Sequence, residues 1–294
     1  MIADYIKILK FTHFGLWISY HKRKFKLKKY INDIRSKYFK ILEIDNDYKI
    51  DRLKGYKIID FKNKNDINDV IKFCEINFPI NLIKNNNKNT SKDNRLNIVD
   101  IDLNDPKNKI IKDFCVNKYL IKSIANYLDD IPILLSATVW FSPNQISTNL
   151  IGSQLYHFDR EDFRQIKCFI PIEDIDKQSG PLTLISSGNS KKFILKKFFN
   201  FQLVSSKSRF TDTQIKRYFK DQIEIELECK RGQVAMVDTS QCLHYGSRPA
   251  KKYKYHISIH YVSPYSTKLD KFSDHFSQTN KPEDLILKKF NLQS

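Results

Sequence analysis

Polar and apolar residues alternate along Lys254-Tyr-His-Ile-Ser-Ile-His-Tyr261. On an extended strand Lys254, His256, Ser258 and His260 then share one face, and Tyr255, Ile257, Ile259 and Tyr261 the other. Ile166-Lys-Cys-Phe-Ile-Pro-Ile172 is a second strand-like run. The polar turn Glu173 to Gly180 follows it, and then Pro181-Leu-Thr-Leu-Ile-Ser-Ser-Gly188. Gly232-Gln-Val-Ala-Met-Val-Asp238 reads as a further turn and strand. Helical spacing appears only earlier, where Ile67, Val70, Ile71 and Cys74 recur along one face of Asp66 to Ile76. Asp105-Pro106 supplies a cap and first-turn proline for a helix running to about Tyr127. These patterns predict a mainly β core with flanking helices. The Asn- and Lys-rich run from Asn81 to Arg95 has no apolar period and is expected to be a mobile loop.

Candidate chemistry lies at the strand ends. Alternate residues of a strand point to the same side, so His157 and Asp159 can grip one ion while Phe158 points away. The strand from Gly232 delivers His244 inside Asp238-Thr-Ser-Gln-Cys-Leu-His-Tyr-Gly-Ser-Arg248. Two imidazoles and one carboxylate form the set that binds one face of a ferrous ion and leaves positions open for a co-substrate and dioxygen. His-x-Asp alone recurs by chance, so the weight rests on the three residues together.

The chain resembles the phytanoyl-CoA dioxygenase-like branch of the Fe(II)- and 2-oxoglutarate-dependent oxygenases. The resemblance lies in Ser153-Gln-Leu-Tyr-His-Phe-Asp159, Lys167 to Ile175, Ser179-Gly-Pro-Leu182, Ser186-Ser-Gly188, Arg209-Phe-Thr-Asp-Thr-Gln-Ile215 and Asp238 to Ser247. It covers about residues 130 to 265, with a fainter match at Gly55 to Phe61, similar to the strand that opens the family's domain. It implies a double-stranded β-helix, the cupin-like jelly roll. Fe(II) would sit on His157, Asp159 and His244, with 2-oxoglutarate and dioxygen as co-substrates and a hydroxylated small-molecule or carrier-linked metabolite as the default product. Because Asp159 is retained, the resemblance speaks against halogenation, whereas desaturation and epimerisation stay compatible with the triad.

The family usually places an Arg on the strand after the second His to hold the distal carboxylate of 2-oxoglutarate. Lys254 occupies that strand here and is the first choice; a Lys gives a point charge where an Arg gives a fork. Arg248 is the second choice, with a solvated loop cation as the plainer reading. Gln154 could hydrogen-bond the co-substrate or a metal-bound water, or make a structural bond. Asp238 and Thr239 are expected to hold the turn before His244. His256 and His260 are expected near the site or at the surface, and His13, His21 and His275 in solvent.

Composition adds limits. The 294 residues suit one jelly-roll domain over residues 51–265, with a basic helical extension (1–50) and a polar tail with a short helix (266–294). A net charge of +18 would suggest nucleic acid, but Lys spreads along the chain with Asn and Ile, as an AT-rich coding sequence produces, and no recognised nucleic-acid module is present. The charge mildly favours an anionic substrate. Apolar Phe11 to Tyr20 followed by cationic His21 to Tyr30 could touch a membrane surface or an acidic partner, or pack as a helix with a solvated outer face. That apolar stretch is too short to span a bilayer and lacks a cleavage site. Five scattered cysteines with no Cys-x-x-Cys argue against disulfides or zinc, so a reducing, cytoplasmic setting is expected. The competing reading is a non-catalytic jelly roll that binds a carbohydrate or small acid, which would have no need of the triad.

Overall fold

A computed structural model of the chain describes residues 13–38, 48–85, 96–144, 149–199, 209–219, 223–269 and 286–287. Its strands are β1 (Tyr56–Asp60), β2 (Asn97–Asp100), β3 (Ile133–Ser142), β4 (Tyr156–His157), β5 (Gln165–Pro171), β6 (Leu182–Ile185), β7 (Arg209–Phe210), β8 (Glu224–Leu227), β9 (Gln233–Val237), β10 (Leu243–Tyr245) and β11 (Lys254–Val262). They form two antiparallel sheets, ordered β1-β9-β5-β11-β3-β2 and β7-β4-β10-β6-β8. From β3 onward the chain passes between the sheets: β3, β5, β9 and β11 enter the large one, and β4, β6, β8 and β10 the small one. That winding is the double-stranded β-helix, and the expected fold class is the observed one.

The two faces of the large sheet follow from side-chain alternation. Ile166, Cys168 and Ile170 of β5, with Tyr255, Ile257, Ile259 and Tyr261 of β11, enter the main apolar core. Lys167, Phe169 and Pro171 of β5, with Lys254 and His256 of β11, line a cavity on the other face. A one-residue slip would exchange these sets, so burying Ile257 and Ile259, at roughly 2–3 kcal/mol each, pins the register that also aims Lys254 inward.

The core is closed from outside by helices. In α1 (His13–Tyr38) Tyr20 and Leu27 are buried and cluster with Tyr265, with Phe163 packed against them. Phe14, Trp17, Ile18, Phe25 and His21 remain exposed. The expected apolar patch is thus divided, part packed on the domain and part in solvent; no helix among the described residues is long and apolar enough to cross a membrane. The side chain of His13 and all of His275 lie outside the described residues.

In α2 (Lys64–Asn77) the buried residues are Ile67, Val70, Ile71 and Cys74, as the spacing predicts. The polar run from Asn81 opens inside α3 (Ile80–Asn85), and its residues 86–95 lie outside the described ones. The single helix expected from Asp105 to Tyr127 is interrupted. Asp105 caps a short turn as expected, but α4 (Lys109–Cys115) ends at Val116 and α5 (Lys118–Leu128) starts again at Asn117. Asn117 causes the break: its side chain accepts from Tyr119 N and donates to Asp66 in α2, bonds that a continuous helix would forgo. The core also takes in Tyr48 and Ile50, and Leu269, Ile286 and Leu287, so the segments before residue 51 and after 265 contribute to it. Two further helices, α6 (Ser187–Phe199) and α7 (Asp212–Lys216), follow β6 and β7.

Candidate metal centre

Strands β4 and β10 pair so that His157 lies opposite His244, their ring centroids 4.4 Å apart. Asp159 follows just past the end of β4. Its backbone N–H donates to the Thr239 carbonyl at 3.0 Å, which ties it to the turn that precedes β10. The ligand atoms of His157, Asp159 and His244 all lie within 4.8 Å of one another. Asp159 Oδ1 is 3.8 Å from His157 Nε2, and Oδ2 is 3.8 Å from His244 Nε2.

The donor set suits a divalent metal. His157 Nδ1 lies 2.8 Å from the Leu155 carbonyl and His244 Nδ1 2.9 Å from the Cys242 carbonyl. A carbonyl only accepts, so each Nδ1 carries the proton and each Nε2 presents its lone pair to the centre. Burial, reinforced by the neighbouring His244, lowers the His157 pKa to about 3, and burial also lowers that of His244, so both rings are neutral. Burial alone would raise the Asp159 pKa. The Lys167 ammonium and the two imidazoles outweigh it and hold the carboxyl well below its usual range.

The turn before His244 is rigid. Buried Asp238 accepts from Tyr127 Oη at 2.8 Å, from Ser240 N at 3.0 Å and Oγ at 2.7 Å, and from Gln241 N at 3.0 Å. Burial raises its pKa to about 6. Thr239 contributes its carbonyl to Asp159 and accepts from Gln165 Nε2 at 2.8 Å. Asp238 holds the turn through side-chain to backbone bonds as expected, whereas Thr239 ties the turn to Asp159 and Gln165.

The triad opens into a cavity whose walls carry Trp140, Phe169, Ile175, Leu182 and Leu227. Lys254 reaches it from β11 and is buried, with its Nζ 2.7 Å from the Gly180 carbonyl. Burial lowers its pKa to about 8. Gly180 is left-handed (φ +63°), and a Cβ there would come within 2.9 Å of the Arg248 carbonyl, so a side chain would deform this wall.

Arg248, the second choice for the anchor, is engaged with an acidic side chain. Its guanidinium makes a two-pronged pair with Asp212 at 3.0 and 2.6 Å, donates to the Gln154 carbonyl at 3.0 Å, and stacks on Tyr245 at 3.3 Å. These contacts clamp α7 to the loop before β4. The Gln154 side chain donates to the Ser247 carbonyl at 2.8 Å and accepts from Ile151 N at 3.2 Å, the structural one of its two readings. His256 and His260 are buried, which overturns a surface role; His256 lines the cavity, and its Nδ1 has no hydrogen-bond partner.

Sequence reasoning missed Lys167. It lines the cavity with its Nζ 2.7 Å from Asp159 Oδ2. A signal was available: one Lys inside the otherwise apolar run Ile166 to Ile172, on the same face as Phe169. The five cysteines are buried as free thiols.

No family model and no curated protein matches this sequence. Solved structures do. EctD from S. alaskensis in its apo form aligns over 83% of this chain and 89% of its own, with 11% identity and a TM-score of 0.51. The same protein with 2-oxoglutarate and 5-hydroxyectoine aligns over 83% and 89%, with 10% identity and a TM-score of 0.50. At this identity the likeness concerns architecture: the chain has the double-stranded β-helix fold shared with EctD.

Proposed function

We propose that this protein is an Fe(II)- and 2-oxoglutarate-dependent oxygenase that acts on a small-molecule or carrier-linked metabolite, with hydroxylation as its outcome. The observation that carries the reading is the triad of neutral imidazoles and ionised carboxylate opening into the same cavity as a buried lysine whose Nζ donates to the Gly180 carbonyl. When bound, iron and the keto acid supply the oxidising chemistry. His157 and His244 offer Nε2 and Asp159 a carboxylate oxygen. Lys254 offers a charge for the distal carboxylate of the keto acid, and 2-oxoglutarate bound in EctD supports that co-substrate by analogy of fold alone. The apolar walls exclude water from the reacting carbon.

Finer points rest on narrower grounds. The order of motifs from Ser153 to Ser247 favours the phytanoyl-CoA dioxygenase-like branch. The net charge of +18 favours an anionic substrate. Buried, free thiols and the need for ferrous iron favour a cytoplasmic setting.

The test is anaerobic titration with Fe(II) and then 2-oxoglutarate, following the weak visible charge-transfer band of a chelated keto acid, with His244→Ala as control. A band lost in the variant supports the reading. A folded protein that binds Fe(II) and gives no band removes it in favour of a binding protein.

A further inference from the structure

We propose that Lys167 is a positioning residue that holds the Asp159 carboxylate to a single metal bond, an inference that rests on the metal-binding reading of the triad. Lys167 is fixed on β5, paired with Val237 on one side and His260 on the other, so its backbone cannot shift without moving the whole sheet. Its side chain is only 13% exposed, and its Nζ lies 2.7 Å from Asp159 Oδ2. The backbone of Asp159 is separately held by Thr239. Oδ1 lies 3.8 Å from His157 Nε2, as Oδ2 does from His244 Nε2, and of the two it is Oδ2 that bears the ammonium.

The coordination count gives this pairing a purpose. Three single-atom ligands leave three positions on a six-coordinate ion, two for a chelating keto acid and one for dioxygen. A carboxylate that chelated through both oxygens would take the position dioxygen needs. An oxygen that accepts from an ammonium commits one of its two lone pairs and part of its charge to that bond, so the pairing disfavours chelation. The arrangement has a drawback, because a positive charge beside the site repels a divalent cation and weakens its binding.

Metal affinity and turnover should therefore move in opposite directions when the ammonium is removed, which loss of a merely structural contact would not produce. In Lys167→Met the anaerobic affinity for Fe(II) or Co(II), measured by competition with a chromophoric chelator, should rise by about tenfold or more, the sign set by the lost like charge. Oxygen consumption dependent on 2-oxoglutarate should fall by about tenfold or more as the open position closes. Lys167→Gln, neutral and smaller, is the second variant should the Met protein fail to fold, and the same opposed movement is expected. Lys167→Arg, which keeps a cationic donor, should bring both quantities back toward wild type.

Metal affinity that falls together with turnover, or that does not change in either neutral variant, would overturn the proposal. If wild-type protein binds Co(II) but shows no keto-acid band, the co-substrate reading fails separately. The affinity comparison then still decides Lys167, tightening in its favour and weakening against it. Wild-type protein that binds no metal overturns both.

Discussion

Replacing Lys254 with Met removes the ammonium while keeping an unbranched stem of similar bulk, and stability and co-substrate affinity should then change in opposite senses. Burial lowers the pKa of this lysine from 10.5 to about 8. At about 1.4 kcal/mol per pH unit, carrying the charge in the folded protein costs roughly 3 kcal/mol. Met leaves the Gly180 carbonyl without its donor, which returns about 1 kcal/mol of that. Lys254→Met should therefore be more stable near neutral pH by roughly 2 kcal/mol, a rise in Tm of about 5 °C for a chain of this size. The sign with pH follows from proton binding. Between about pH 8 and 10.5 the unfolded chain holds a proton that folded Lys254 has released, so wild-type stability gains as pH rises through that window and the variant lacks this gain. Loss of a charged hydrogen-bond partner worth roughly 2–3 kcal/mol should weaken 2-oxoglutarate binding about 30- to 150-fold. Wild-type affinity should itself decline above about pH 8 as the ammonium deprotonates, and the variant should show no such decline. Thermal melts at pH 7 and 9.5, with the anaerobic band titration at both, measure all of this. A variant that melts lower and binds the keto acid as tightly as wild type would refute the reasoning and make Lys254 a structural residue.

His244→Ala or His157→Ala should weaken Fe(II) binding on the order of a hundredfold or more, read by chelator competition, because each removes one of three ligand atoms. Arg248→Ala should lower stability by about 1–2 kcal/mol, through the partly exposed pair with Asp212 and the stacking on Tyr245, and leave the keto-acid band intact. A loss of co-substrate affinity beyond about tenfold would return the anchor role to Arg248. Tyr127→Phe takes one donor from buried Asp238 and should reduce stability in urea unfolding by about 1–3 kcal/mol; no change would mean that the turn before His244 does not depend on that bond.

Much of the architecture could be read before any coordinates. The alternation from Lys254 to Tyr261 determined which residues of β11 enter the core and which face the cavity, because side chains on a strand obey a period of two whatever the fold around them. The spacing of His157 and Asp159, read together with the family resemblance at Asp238 to Ser247, named the three residues whose ligand atoms lie within 4.8 Å of one another. Local rules failed where a partner distant in the chain decided the outcome. The break at Asn117 depends on Asp66, 51 residues away. Arg248 reads as a loop cation until Asp212 and Gln154 are brought beside it. Lys167 reads as one more lysine in a basic chain until the passage between sheets sets its Nζ against Asp159. The sequence by itself thus determined the faces of the strands, since these follow from periodicity along a few neighbours, whereas His244 was joined to His157 and Asp159 only through the family resemblance. Only the tertiary structure decided which cations meet which carboxylates, since ion pairing depends on distances that exist only once the sheets have closed around the cavity.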